Sequence, residues 1–266
     1  MIFMKTNIRL LFTACAAALV TGCTNLDVDV ESQYTEYPTT EIAIEAKMAD
    51  VYYQLRDAFG RRYMEVQALS SDEYTAVSYG GGWYDSGAYA HPSLHNYTYE
   101  DATIDWMGQL TSGITKANKI IAELGGNEAG AAVAPARAMR AFFHFILMDC
   151  WGDAPILDHA MAEGETIDRS PRADVAKFIE SELKEIIPQL TDEVNTNTYG
   201  KPTKWMAEAL LAKIYINWPV YTAASVDLYD AATAKNEKLN DCIALCDDII
   251  KSGKFNLGSM SYSKKF

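Results

Sequence analysis

Seven aromatic side chains fall between Tyr74 and Tyr99 (Tyr74, Tyr79, Trp83, Tyr84, Tyr89, Tyr97 and Tyr99), a density well above the 11% of the whole chain. Gly80-Gly81-Gly82 leads into Trp83, and Gly87 follows it. Glycine backbone is free to lift a ring off a scaffold, and a flat ring with a polar edge suits the apolar face and hydroxyl rim of a sugar. Covering one such ring contributes about 1.5–3 kcal/mol, a scale that fits weak, exchangeable capture. Candidate ligand contacts are therefore Trp83, Tyr84, Tyr79, Tyr89 and Tyr74, with Asp72 of Ser71-Asp72-Glu73 offering a carboxylate to hydroxyls. The competing reading is that the tyrosines only fasten a long loop to helices beneath it, and that Ser71-Asp72-Glu73 is the solvated start of a helix. Trp83 stands apart, because it follows three glycines and lies outside any helical apolar stripe.

Reaction chemistry is poorly signalled. His91 and His95 are four residues apart, but Pro92 interrupts the helix that would align them, and no cysteine or second histidine pair completes a metal set. His144 sits in a run that is apolar nearly all round and reads as a hydrogen-bonded core residue. The 36 acidic residues could supply the two carboxylates of an exported glycosidase, spaced about 5–9 Å apart, yet no motif marks such a pair. The expectation is a non-catalytic protein with no cofactor and no metal.

The N-terminus carries a different chemistry, acylation. Lys5 and Arg9 form a positive region, Leu10 to Val20 is uncharged and mostly apolar, and Val20-Thr21-Gly22-Cys23 follows directly. The pattern reads as a bacterial lipoprotein signal over residues 1–22, with Cys23 as the lipidated first residue of the mature chain. The apolar run is too short to span a bilayer, which takes about 20 helical residues. Two or three acyl chains hold a protein stably where one holds it marginally, at about 0.8 kcal/mol per buried CH₂. Loss of Lys5 and Arg9 takes the formal charge from −13 to −15, which excludes nucleic acid and an electrostatically held membrane surface as partners. Residues 23–36 are polar and acidic and read as a lipidated tether reaching roughly 40 Å, at about 3.3 Å per residue.

The remaining chain reads as successive helices: Thr40 to Phe59, Asp101 to Leu124, Pro135 to Trp151, a helix capped by Ser170 with Pro171 first and running to Leu190, Thr203 to Asn217, and Asn240 to Ser252. Cys242 and Cys246 share a stripe with Leu245, Ile249 and Ile250, and Cys150 lies in the most apolar helix, so all three read as buried thiols with no disulfide. Ala138-x-x-Ala141 and Ala209-x-x-Ala212, each followed by bulky residues, are 71 positions apart, close to two repeats of the 34-residue tetratricopeptide type.

Four segments in order resemble the SusD/RagB family of nutrient-binding outer-membrane lipoproteins. Arg137-x-x-Arg140-Ala141-Phe142-Phe143 running to Trp151-Gly152-Asp153-x-Pro155 resembles its most recognisable stretch; Trp106 to Asn118 looks like the helix before it; Arg169-Ser-Pro171 to Leu190 and Tyr199-Gly200 to Tyr215 are similar to the helices after it. Leu26-Asp27 follows the lipoprotein cysteine, and Phe255-Asn-Leu257 completes the order. The resemblance implies a mainly α fold of tetratricopeptide-like stacked helical hairpins with long irregular loops. It also implies capture of a glycan or other nutrient oligomer, and delivery to a TonB-dependent, SusC-like transporter at the outer membrane. Family members are longer, so residues 37–266 are expected to be an incomplete N-terminal helical-repeat domain. Alternatives are the glycosidase above and a protein-binding helical adaptor. By physical reading Arg137 and Arg140 are structural, pairing with carboxylates of neighbouring helices.

Overall fold

Thr40 has the extended backbone of a cap, and its Oγ1 accepts the Ala43 N–H at 3.4 Å, which starts α1 (Glu41–Tyr53). The structure, a computed structural model, describes residues 40–75, 89–101, 103–256 and 258. The helical path does not stop at Phe59 as the sequence suggests. It continues through α2 (Leu55–Asp57), a π-helical stretch (Ala58–Tyr63) and α3 (Met64–Ser70). Apolar spacing persists past the one glycine, and Ala58, Tyr63, Ala68 and Leu69 are all buried. Ser71-Asp72-Glu73 consequently closes a helix instead of opening one: Ser71 N–H returns to Gln67 O at 3.2 Å and Asp72 turns left-handed, at φ 60°.

A one-turn helix, α4 (Ala90–Leu94), lies within the aromatic segment; it tolerates Pro92 because the first turn leaves N–H groups unpaired anyway. The next helix starts later than expected. The Asp101 carboxylate accepts the Thr98 N–H at 2.6 Å, and its carbonyl is taken by Ile104 and Asp105 at 2.8 Å, so a turn at 103–104 precedes α5, which spans Met107–Glu123. A 3-10 stretch (Asn127–Ala132) leads to α6 (Ala134–Trp151), with Pro135 in its first turn. Gly152 ends it at φ 74°, a conformation other residues adopt at a cost.

Ser170 does not cap the next helix. Ala154–Pro155 and Arg169–Ser170 pair as two short antiparallel strands, β1 and β2, in the register Ala154↔Ser170. That pairing brings Asp153 to the start of α7 (Arg172–Ile186), where its Oδ1 accepts the Arg172 N–H at 2.8 Å. The cap thus arrives from 19 residues away. A 3-10 turn (Ile187–Gln189) carries the chain to Leu190. Thr203 caps α8 (Lys204–Ile216) as its type and position predict, accepting the Met206 N–H at 3.3 Å. Short α9 (Trp218–Thr222) and α10 (Leu239–Lys251) complete the described helices of four or more residues.

The principal contacts run α1 to α5, α5 to α6, α6 to α7, α7 to α8 and α8 to α10, so neighbours in sequence are neighbours in space. This is the stacked-hairpin architecture expected. The echoed segments lie on α6 and α8, which pack on opposite ends of that order against α7; Ala138, Ala141 and Ala212 are buried, whereas Ala209 is exposed. Between α5 and α6 the approach is close enough that Gly113 lies directly against the Phe143 ring. On α10 the expected stripe is only partly covered. Cys242 is buried, Leu245 and Ile249 are half-buried, and Cys246 and Ile250 are exposed, because α8 is the one extensive packing partner of that helix. Cys150 is half-buried, and burial pushes its thiol up to about 12.

Arg137 and Arg140 are buried and meet carboxylates of α7 as the sequence suggests. Arg137 Nη2 reaches Glu182 at 2.6 Å and Glu185 at 2.8 Å, while Arg140 Nε reaches Glu182 at 3.0 Å and its Nη1 donates to Asn118 Oδ1 at 2.9 Å. Asn118 in turn donates to the carbonyls of Leu157 and His159. His144 is a core residue: its Nδ1 faces Arg140 O at 2.8 Å and its Nε2 accepts the Leu157 N–H at 3.0 Å, so the imidazole is held neutral, and burial brings its pKa down to about 4. This network fastens the loop after α6 to three helices. Among the described residues no helix is long and apolar enough to cross a membrane.

Candidate functional site

The described flanks of the aromatic segment are held by α3 and α4. Tyr74 N–H returns to Ala68 O at 3.1 Å, which fixes the backbone where the segment leaves α3, and the Tyr74 ring is 65% exposed. Ser93 Oγ of α4 donates to Leu69 O at 3.0 Å, so α4 is held beside the end of α3. Asp72 is exposed next to Tyr74. Tyr97 and Tyr99, further along, are exposed at 46% and 83%.

Tyr89 departs from its expected role as a ligand contact. It is only 8% exposed, and its hydroxyl accepts a hydrogen bond from Arg61 Nη2. A ring so covered acts as an anchor for the C-terminal flank, which is the fastening alternative weighed from sequence. Tyr79, Trp83 and Tyr84, together with the lipidation residue Cys23, lie outside the described residues.

Beneath Tyr89 runs the π-helical stretch, whose wider turn gathers charge on one side; π-turns inside helices recur at functional positions. Arg61 Nε meets Glu65 at 2.8 Å, Arg62 Nε meets Asp57 at 3.3 Å, and Gln109 of α5 donates to Asp57 at 3.1 Å. The Gln109 amide, followed by the two arginines, holds the Asp57 carboxyl below the usual carboxylate range against the opposing effect of burial. A cavity of about 460 Å³ opens here, lined by Tyr53, Gln54, Arg56, Asp57, Arg61 and Gln109. Sequence reading gave these residues no role. The available signal was the Tyr53-x-x-Arg56 spacing, which sets a ring and a guanidinium on one helix face.

Behind the π-stretch Asp149 ties three elements together. Its two carboxylate oxygens accept Tyr63 and Tyr221 hydroxyls, each at 2.6 Å, and both phenols are raised, first by burial and then by that carboxylate. His91 is engaged as well: its Nδ1 lies 2.5 Å from Asp101 Oδ1, and the Thr98 N–H, then His91, lower the Asp101 carboxyl. Among the described residues no group of three His, Cys, Asp or Glu is placed to hold a metal ion. The arrangement is a rigid helical frame presenting exposed rings, amides and charges, which is binding chemistry.

Comparison with known proteins gives the frame a context. A family model for SusD-like proteins, described as starch-binding associating with outer membrane, matches residues 26–216. A SusD-like protein of Bacteroides ovatus is 26% identical over 237 residues, covering 81% of this chain and 40% of its own length. Among solved structures, a laminarin binding SusD-like protein superposes with a TM-score of 0.58 at 21% identity, over 70% of this chain and 42% of that one. Surface glycan-binding protein A from Bacteroides thetaiotaomicron gives a TM-score of 0.62 at 17% identity, over 84% and 45%. The likeness to the two structures is one of fold, and the chain spans about two fifths of the length of the relatives it matches.

Proposed function

The chain belongs to the SusD-like family, and from that premise we propose that it is a non-catalytic glycan-capture lipoprotein. Residues 1–22 serve as the signal peptide, Cys23 carries the lipid, 23–36 form the tether, and the helical body from 37 onward belongs to a glycan receptor at the cell surface. The receptor passes its ligand to a TonB-dependent, SusC-like transporter in the outer membrane. Relatives named for laminarin binding and for surface glycan binding support the ligand class. The observation that supports the reading is the aromatic segment itself, which is fastened at Tyr74 beside α3 and at α4 while Tyr74, and Tyr97 and Tyr99 beyond α4, stay exposed. Rings held on a fixed frame lose little entropy on meeting a sugar face.

Trp83 and Tyr84 are the proposed stacking rings, with Tyr79 and Tyr74 beside them and Asp72 as an acceptor for hydroxyls. Tyr89 serves as the anchor. Calorimetric titration with β-glucan, starch and other oligosaccharides should find a ligand whose affinity falls at least ten-fold in Trp83→Ala, because losing the cover of one ring removes about 1.5–3 kcal/mol. Equal affinity in the variant refutes the assignment of Trp83. The same incubations, assayed for new reducing ends, should show none; their appearance would favour the glycosidase.

A further inference from the structure

The cavity beside the π-stretch has a composition that the capture of neutral sugars does not require. Arg56 is exposed, and its guanidinium lies over the Tyr53 ring at 6.0 Å from the centroid. Its two arginine neighbours are engaged by Asp57, Glu65 and Tyr89, but Arg56 has no carboxylate partner among the described residues. Three guanidiniums against two carboxylates leave the cluster with one positive charge, in a chain whose formal charge is −13. The Tyr53 ring is 61% exposed, so it offers a second, uncovered surface for stacking. Gln54 and Gln109 add amides on the cavity wall.

An aromatic platform, neutral amides and one unmatched fork of N–H donors together describe a particular ligand. We propose that this cavity is a subsite for a uronic acid residue of the captured glycan, with the sugar ring on Tyr53, its carboxylate held by Arg56, and its hydroxyls facing Gln54 and Gln109. The proposal rests on the glycan-capture reading and adds the charge of the sugar to it. A carboxylate matches the planar guanidinium in two-point geometry and carries the single negative charge the cluster lacks. The link from Arg61 to Tyr89 puts this subsite against the anchored flank of the aromatic segment, so one oligosaccharide can touch both.

The test is calorimetric titration of the full chain with galacturonate, glucuronate and mannuronate oligosaccharides. Each is paired with its carboxyl-reduced neutral counterpart, and a sulfated neutral oligosaccharide is included. At least one acidic oligomer should bind ten-fold or more tightly than its reduced form, and the preference should shrink as salt rises, since the pair is solvent-exposed. Arg56→Gln should erase that preference, bringing the affinity for the acidic form to that for its neutral counterpart. Arg56→Lys should keep part of it, because charge survives while the fork is lost. Neutral forms binding as tightly as acidic ones, or an acid preference that survives in Arg56→Gln, overturn the subsite while leaving glycan capture standing. A preference for the sulfate ester overturns the carboxylate assignment. Binding of no oligosaccharide, neutral or acidic, overturns capture and subsite together. Arg56 makes no ion pair among the described residues, so the variant should unfold at the wild-type temperature, which separates loss of binding from loss of fold.

Discussion

Replacing Gly113 with alanine tests whether the approach of α5 to α6 is as close as the structure requires. A Cβ built on Gly113 would lie 2.5 Å from Phe143 Cζ, 2.6 Å from Cε2 and 2.8 Å from Cε1. Carbon atoms in ordinary contact sit about 3.5–4.0 Å apart, so the methyl overlaps the ring edge by about 1 Å. Phe143 is fully buried, so its ring can move only by displacing the residues packed around it. Against this, alanine in a helix interior gains about 1 kcal/mol over glycine. Overpacking costs typically about 1–3 kcal/mol, and three ring atoms inside contact distance put this site at the upper end. The net expectation is a loss of about 1–2 kcal/mol, read as a lower urea midpoint at unchanged slope. Phe143→Leu should then relieve the clash, so that the double variant is more stable than the sum of the two single changes predicts, by about 1 kcal/mol. A Gly113→Ala protein as stable as wild type, or strictly additive changes, would show that the two helices do not meet in this way. The same contact positions the segment that begins at Trp106, whose ring meets Trp151 edge-on at 4.7 Å, so the frame of the aromatic loop depends on it.

Two other measurements probe the core around that frame. His144 is held neutral in the fold, with a pKa near 4 against 6.5 when unfolded, so the unfolded chain takes up a proton first as pH falls. Stability should therefore be lost between about pH 6.5 and 4, by about 3 kcal/mol more than in His144→Gln, as read from urea titrations across that range; equal losses in both proteins would remove the histidine as the cause. Alkylation at pH 8 should label Cys246 first among the three described cysteines, since Cys246 is exposed while burial raises the thiols of Cys150 and Cys242. Peptide mapping that finds Cys242 modified as fast as Cys246 would contradict the packing of α10 on α8.

What the sequence disclosed and what it hid divide along the range of the interactions. Thr40 and Thr203 act on N–H groups three residues away, so their roles follow from local spacing. The pairing of Arg137 and Arg140 with a neighbouring helix was also readable, because two guanidiniums in a nearly all-apolar helix must find buried acceptors. Local reasoning failed where a distant group took over. Ser170 has the right type for a cap, yet β1 and β2 deliver Asp153 to the same N–H and Ser170 is absorbed into the strand pair. Cys246 has the right spacing for a core face, but spacing states only that a face is apolar and not whether another helix covers it.

The Arg56 cavity was hidden for a related reason. Along the chain, Tyr53, Arg56 and Arg61 are ordinary residues of a solvated helix face, and helical periodicity would spread them around it. Arg61 pairs with Asp57 and Glu65 at ordinary i,i+4 spacing, and the π-turn adds the five-residue contact from Arg62 to Asp57, while Arg56 stays outside that network because no acidic residue lies three or four positions from it. Deleting one residue within 58–63 would restore α-helical spacing and rotate Tyr53 and Arg56 relative to Glu65 and Tyr89, so the acid preference proposed for the cavity should be more sensitive to such a change than to substitution of any exposed tyrosine in the segment.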